Sequence, residues 1–189
     1  MRKLKLQVQM TIDGRIAGPN GEMDFMTWDW DDEIKAYVEE LTASVDTILL
    51  GRKLAEGFIP YWGGVAEDPE NPEQASGKQF TEMPKVIFSR TLAESKWPNA
   101  VVASDLAGEV TRLKQTGGKD LIAYGGAEFV SSLLRHQLID ELHILVNPVA
   151  IGEGKTIFEQ LDRRQPLKLV ESKAFPCGIA LLHYSVVRD

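Results

Sequence analysis

The sequence holds one cysteine, Cys177, and three histidines. A lone cysteine excludes an internal disulfide, and the chain suits a reducing compartment such as the cytoplasm. Cys177 stands between Pro176 and Gly178 with no histidine close by in sequence. A turn is expected there, not a nucleophile. His136, His143 and His183 fall in one expected helix and two expected strands, without a metal-ligand spacing. The expectation is structural histidines and no metal. Positive charge is also short. Lys and Arg total 21 against 28 Asp and Glu, for a net charge of −7 and a pI near 5.1. That argues against nucleic acid or an anionic membrane as partner. No apolar run approaches a membrane span, and Met1-Arg-Lys-Leu-Lys-Leu6 lacks the apolar core of a signal peptide. No G-x-S-x-G elbow is present, so the usual acyl-transfer serine has no support. Gly154-Lys155-Thr156 looks like the end of a P-loop, but Val149 stands where the first glycine is required.

What is present is an ordinary soluble composition, 43% hydrophobic and 26% charged over 189 residues. That suffices for one domain, residues 1–189, with a sizeable core. The informative stretch is Leu121-Ile-Ala-Tyr-Gly-Gly-Ala-Glu-Phe129. A short apolar strand meets Gly125 and Gly126, and Phe129, Val130, Leu133, Leu134 and Leu138 then fall at helical spacing. Strand, glycine turn and helix together let a backbone approach a phosphate. One such turn alone is as well explained without a ligand. A second junction upstream changes the balance. Thr47-Ile-Leu-Leu50 reads as a buried strand, Gly51 ends it, and Arg52-Lys53 opens a helix to Phe58. Two cations at a helix start oppose its dipole, and a bound phosphate removes that conflict.

The rest falls around these junctions. Lys3 to Thr11 alternates, with Leu4, Leu6, Val8 and Met10 on one face. A turn-rich loop follows. Asp29, Asp31, Asp32 and Glu33 lead into a helix carrying Ile34, Tyr37, Val38 and Leu41, where carboxylates suit the helix start. Residues 59–84, rich in Pro, Gly and acidic groups, predict a surface loop with at most a short helix before Phe80. Lys85–Phe88 and Val101-Val102 read as strands, and Leu106–Gln115 as a helix. Leu142–Val149 is β-like, with Pro148 marking an edge or bend. Leu167–Ala174 and Ile179–Val187 predict a closing antiparallel pair. The pattern predicts an α/β fold, a mainly parallel sheet with helices on both faces and an antiparallel finish. Gly51-Arg52-Lys53, Ser89-Arg90 and Gly125-Gly126 all fall at carboxyl ends of expected parallel strands, where such sheets bind ligands. Arg90 reads either as a solvated loop cation or, with a dinucleotide bound, as the partner of a ribose 2′-phosphate.

These motifs together resemble the dihydrofolate reductase superfamily, in the branch of the C-terminal reductase domain of the riboflavin-biosynthesis deaminase–reductase. The resemblance rests on Met10-Thr-Ile-Asp-Gly-Arg-Ile-Ala17, Ile48-Leu-Leu-Gly-Arg-Lys53, Val86-Ile-Phe-Ser-Arg90, Tyr124-Gly-Gly-Ala-Glu128 and Ile139-to-Pro148 followed by Gly152-Glu-Gly154. It implies a three-layer α/β/α domain and an NADPH-dependent reductase, most similar to 5-amino-6-(5-phosphoribosylamino)uracil reductase. A dihydrofolate or pterin reductase is the alternative. A non-catalytic NADPH or flavin sensor is the alternative of another class. By family position Gly51, Arg52 and Lys53 would hold cofactor phosphates, and Ser89 and Arg90 the 2′-phosphate end. Gly125, Gly126, Ala127 and Glu128 would line the pyrophosphate turn. Gln9, Ile16 and Ala17 would flank the nicotinamide, under a loop from Gly18 to Trp28. Asp31 or Asp32 would assist protonation, although helix capping explains either one as well. A homodimer is implied by the family alone. Two departures bear on the substrate. Tyr124 stands where the riboflavin enzymes carry an acidic residue, and Glu22-Met-Asp-Phe-Met26 has no counterpart of the folate enzyme's Pro-Trp; a deaminase zinc signature is also lacking. Trp28, Trp30, Tyr61 and Trp62 are candidates to stack on a flat heterocycle.

Overall fold

The computed structural model describes residues 1–188. Eight strands form one sheet in the order β4-β3-β2-β5-β1-β6-β8-β7. They are β1 (Leu4–Thr11), β2 (Val45–Gly51), β3 (Lys85–Phe88), β4 (Ala100–Ala103), β5 (Asp120–Tyr124), β6 (Glu141–Asn147), β7 (Leu167–Ala174) and β8 (Ala180–Val186). The first six pair in parallel, and β8 runs antiparallel between β6 and β7. The helices are α1 (Asp32–Ala43), α2 (Arg52–Glu67), α3 (Gln74–Glu82), α4 (Leu106–Gln115) and α5 (Ala127–Arg135). Among the described residues no helix is long and apolar enough to cross a membrane.

Alternation in β1 sorts its side chains between the two layers. Leu4, Leu6, Val8 and Met10 pack with Val110 and Leu113 of α4 and Val130, Leu133 and Leu134 of α5. Burying a leucine of this kind stabilises by roughly 1.5–3 kcal/mol. The central strands are apolar on both faces. Leu49 joins that first cluster, while Ile48 and Leu50 join Leu41, Ala55, Ile59 and Phe80 on the other side. Ile34 of α1 covers Leu145, Ile179 and Leu181 in a third cluster. The mainly parallel sheet, the helices on both faces and the antiparallel finish all match the expectation. Pro148 marks the end of β6, which lies inside the sheet and not at its edge.

The segment 59–84 corrects the sequence reading. It is not a surface loop. α2 continues to Glu67 with Pro60 inside it, and α3 follows after a short turn. Pro60 lacks one helical N–H, but Phe58, Ile59 and Trp62 share an apolar face that packs with Phe80. Tertiary burial outweighs the breaker. The two helices touch closely, since a Cβ on Gly77 would lie 2.7 Å from the Ala66 backbone nitrogen.

Lys85 opens β3 with its side chain buried at 2% exposure. Its ammonium donates to the carbonyls of Thr81 at 3.0 Å and Met83 at 2.7 Å, closing the end of α3. Burial pushes its pKa down from 10.5 to about 8.

Two predictions arise here. A glycine-to-alanine change inside a helix ordinarily stabilises by about 0.4–1 kcal/mol. Gly77→Ala is expected to destabilise by about 1–3 kcal/mol through the clash with α2, read from urea melts. Lys85 binds its proton more weakly folded than unfolded, so folding becomes more favourable as pH rises from about 8 toward 10.5. The rise is on the order of 3 kcal/mol at most. Lys85→Met is expected to lack it, and an equal slope in both proteins would contradict this assignment.

Candidate functional site

β1 and β5 are parallel neighbours whose outgoing connections part. The chain after β1 leads to α1 on one face, and the chain after β5 leads to α5 on the other. Ligands of open α/β sheets bind in such a crevice. β5 ends at Tyr124 opposite Gln7, while β1 and β6 go on pairing to Thr11 and Asn147. The rim therefore has a step. Gly125 and Gly126 form its floor, and Gln9 stands in the wall.

On the other side of that step the starts of α2 and α5 lie together. Gly125 and Gly126 have φ of 51° and 82°, values that favour glycine. Gly51 is needed for a different reason. Its φ is −73°, but a Cβ there would lie 2.9 Å from Cβ of Phe129. Neither α2 nor α5 has a side-chain cap at its start. By contrast Asp31 caps α1 and Asp105 caps α4. The backbone N–H groups at the rim are thus left for another acceptor. Arg52 pairs with Glu56 at 2.7 Å, and Lys53 reaches Glu128 across the two helix starts at 3.6 Å. These pairs answer the charge conflict within the chain. Both are exposed enough to exchange partners at small cost. Ala127 opens α5 beside them.

Ser89 follows β3, and its hydroxyl accepts from the Thr91 and Leu92 backbones at 3.2 and 2.9 Å. Arg90 next to it is exposed and forms no hydrogen bond or ion pair among the described residues. The far wall is stitched by backbone bonds. Ile16 N–H donates to Lys155 at 2.9 Å, and Lys155 N–H donates to Ala17 at 2.8 Å. Asp13 accepts from Gly152 N–H at 2.7 Å, and Arg15 donates to the Gly154 carbonyl at 3.2 Å. So Ile16 and Ala17 are buried and the segment 12–18 is held against 149–155. Asn147, fully buried, ties three pieces together. Its amide nitrogen donates to Gln9 Oε1 at 3.0 Å, and its oxygen accepts from Thr27 N–H at 2.8 Å. Asn147 lies in the Ile139-to-Pro148 stretch that carries the resemblance, but the sequence reading gave it no role.

Asp31 and Asp32 differ. Asp31 Oδ1 accepts from the N–H groups of Glu33 and Ile34, and its Oδ2 accepts from Cys177 N–H at 2.8 Å. Burial pushes the Asp31 carboxyl up, but these N–H groups outweigh it and hold the carboxyl below its ordinary value. Asp32 is exposed and forms no hydrogen bond among the described residues. Tyr124 packs into an aromatic cluster, stacked on Phe58 at 5.4 Å and edge-on to Phe80 at 5.8 Å. Its hydroxyl is buried with no hydrogen-bond partner among the described residues, and burial pushes its pKa up. Trp62 belongs to this cluster, and Trp30 packs under α1. Trp28 and Tyr61 are exposed. One surface recess lies at the amino ends of β2 and β3, beside Val45, Asp46, Met83 and Pro84, away from this rim.

The histidines depart from the sequence reading. His143 and His183 sit opposite each other on β6 and β8, rings stacked at 4.1 Å, with Glu141 beside them. The sequence hides this because β7 intervenes along the chain, yet β8 is the strand that pairs with β6. His136 lies apart, at the end of α5.

The fold and the rim define a dihydrofolate-reductase-like α/β domain. The profile of the RibD C-terminal domain family matches residues 2–181, and the chain belongs to this reductase-like family. It is 32% identical over 185 residues to the uncharacterized protein YyaP of Bacillus subtilis, covering 97% of this chain and 94% of that protein. It is 27% identical over 186 residues to the uncharacterized YwjB of the same organism, covering 97% of each. Among solved structures it is similar to a riboflavin biosynthesis protein of Shewanella sp. PV-4, with TM-score 0.73 and 19% identity over 98% of this chain and 99% of that one. It is also similar to a diaminohydroxyphosphoribosylaminopyrimidine deaminase/5-amino-6-(5-phosphoribosylamino)uracil reductase of Thermotoga maritima. There the TM-score is 0.69 and the identity 20%, over 98% of this chain and 57% of that one.

Asn147→Ala is expected to leave the Thr27 N–H without its acceptor, at a cost of about 1–3 kcal/mol. Hydrogen exchange at Thr27 should accelerate while the amides of β3 stay protected. Unchanged exchange at Thr27 would show that the loop is held by other contacts.

Proposed function

We propose that this protein is an NADPH-dependent reductase of a flat heterocycle, with a ribosylaminopyrimidine as the first candidate substrate. The observation that carries the reading is the pair of uncapped helix starts meeting at Gly51 and Gly126 beside Arg52 and Lys53. A dinucleotide pyrophosphate supplies the acceptor oxygens those N–H groups lack. Gly51, Arg52, Lys53, Gly125, Gly126, Ala127 and Glu128 would hold it. Ser89 and Arg90 would take the 2′-phosphate. Gln9, Ile16 and Ala17 would flank the nicotinamide, which when bound supplies a hydride. The chain's part is to orient both partners and exclude water. For the accompanying proton, Asp31 is committed to three N–H groups that favour its ionised form. Asp32 is the freer carboxyl, and its role is to relay a proton from solvent. Tyr124 stands where the riboflavin enzymes carry an acidic side chain, and its ring is taken up by Phe58 and Phe80, so it does not supply that substrate contact. Pterin or dihydrofolate reduction is the alternative. The closeness of the chain to the family supports a homodimer, and the exposed outer strand β7 with Leu169 and Val170 offers an edge for one.

A specific observation also favours a sensor without turnover. The Asp31 carboxylate is occupied in capping α1 and pinning Cys177. Thermal melts with saturating NADPH, followed by NADPH oxidation with ribosylaminopyrimidine, pterin and dihydrofolate, separate these readings. A raised melting temperature with turnover is expected. A rise without turnover on any substrate favours the sensor, and no rise defeats both. Arg90→Ala is expected to weaken NADPH by about tenfold or more while leaving NADH nearly unchanged, from the loss of a charge-assisted contact. Equal weakening of both would contradict the 2′-phosphate role.

A further inference from the structure

We propose that Glu141, His143 and His183 form a binding site for one divalent transition-metal ion, of which Zn2+ suits the donor set. The site lies apart from the cofactor rim, on the sheet face beneath α1. Two features of the strands bring the donors together. Glu141 and His143 are two residues apart on β6 and share a face. His183 stands directly opposite His143 on β8. All three are therefore carried by hydrogen-bonded strands and not by loops, as a defined site requires.

The donor atoms point into one place and lack other partners. Nε2 of His143 lies 3.5 Å from Glu141 Oε2, and Nε2 of His183 lies 3.8 Å from the same oxygen. One ligand atom from each residue falls within 4.8 Å of the others. Both Nε2 atoms are buried, and apart from the facing Glu141 carboxylate neither has a polar partner among the described residues. The His143 side chain is only 6% exposed. Buried polar atoms without partners are costly, and two of them facing one carboxylate oxygen call for a bound species.

The outer contacts have the form that orients metal ligands. Tyr37 of α1 bonds His143 Nδ1 at 2.5 Å, which leaves Nε2 as the free donor. Lys3 donates to Glu141 Oε1 at 2.6 Å, which leaves Oε2 turned toward the rings. Lys5 and Glu171 also act on this cluster from the flanking strands and oppose one another in charge.

The spacing is near what an ion requires. Donor atoms sit about 3.4 Å apart around a tetrahedral ion bound at about 2.0–2.1 Å. The glutamate–histidine distances need little change. The two rings are stacked 20° from parallel, so one must turn to bring its nitrogen lone pair to the ion. His183 is the one with room, its side chain being 15% exposed against 6% for His143. That exposed side also admits the ion and a water as fourth ligand. A bound ion would fasten β8 to β6 and, through Tyr37, to α1.

The test uses full-length, tag-free protein stripped by a chelator and titrated with Zn2+ or Co2+. One ion per chain is expected, with a tetrahedral cobalt absorption and a raised melting temperature. His183→Gln and His143→Gln are expected to abolish all three, while His136→Gln on the surface leaves them intact. Tyr37→Phe is expected to weaken binding by about 10–100-fold. His183→Gln keeps the test open if His143→Gln does not fold, since its ring is less enclosed. No stoichiometric binding by the parent protein, or binding that survives His183→Gln, would overturn the assignment. The NADPH-induced thermal shift is measured alongside and is expected to persist in His183→Gln.

Discussion

The contact between Gly51 and Phe129 is the constraint around which the rim is built. β2 and β5 are hydrogen-bonded neighbours, with Leu49 paired to Ala123. Each strand therefore ends beside the other, and the helix that follows each one must start in the same small space. α2 leaves toward one face and α5 toward the other. They can start together only if one of the two turns has no side chain at the point of crossing. That turn is Gly51, and Gly125 and Gly126 supply the backbone angles that send α5 away. Two sets of outward N–H groups then converge. Any larger residue at position 51 would separate them.

The same sheet shows why polar residues on β1 do not make it a surface strand. Lys5, Gln7 and Gln9 alternate with the apolar side chains and face α1. Gln7 pairs with His143, and His143 reaches Tyr37. The layer under α1 is therefore part polar, unlike the layer under α4 and α5. Polar groups placed there are specific only if they are satisfied. Lys5 meets Asp120 at 3.2 Å and Ser44 at 2.8 Å, and Gln9 meets Asn147. Gln7 Oε1, Tyr124 OH and the two histidine Nε2 atoms have no hydrogen-bond partner among the described residues beyond the facing Glu141. These four belong to neighbouring residues of one row, since Tyr124 pairs with Gln7, Gln7 with His143 and His143 with His183. The row runs from the floor of the rim step to the closing strands. Unmet groups in line mark where ordered water or an ion belongs.

Much of this was legible in the residue order. Period-two alternation located β1, and glycine after an apolar run located both rim junctions. Leu106–Gln115 and Leu167–Ala174 were read with the boundaries the structure has. The reading failed where a local signal contradicted a distant contact. Pro60, Gly63 and Gly64 argued for a loop, but Phe58, Ile59 and Trp62 had an aromatic partner in Phe80 that sequence spacing could not supply. His143 and His183 were read as unrelated because strand pairing, not separation along the chain, decides which side chains meet. Asn147 escaped for a similar reason. Its importance lies in two partners, Gln9 on β1 and Thr27 before α1, that are far from it in sequence.

The start and the middle of α1 show how the rim and the closing hairpin depend on each other. Asp31 caps the helix and holds Cys177 in the turn between β7 and β8. Six residues on, Tyr37 meets His143 of β6. The hairpin is thus fixed to α1 at its tip and, through β6, beneath its middle. The loop that leads into α1 is fixed at Thr27 by Asn147, which also holds Gln9 in the wall of the rim. A shift of the hairpin against β6 would therefore pull on α1 and on the Gly18–Trp28 loop before it. The outer strand β7 has little else to hold it, being exposed along nearly its whole length. Rigidity at the rim, on which close approach of backbone to phosphate depends, is in this chain supplied partly from the far edge of the sheet.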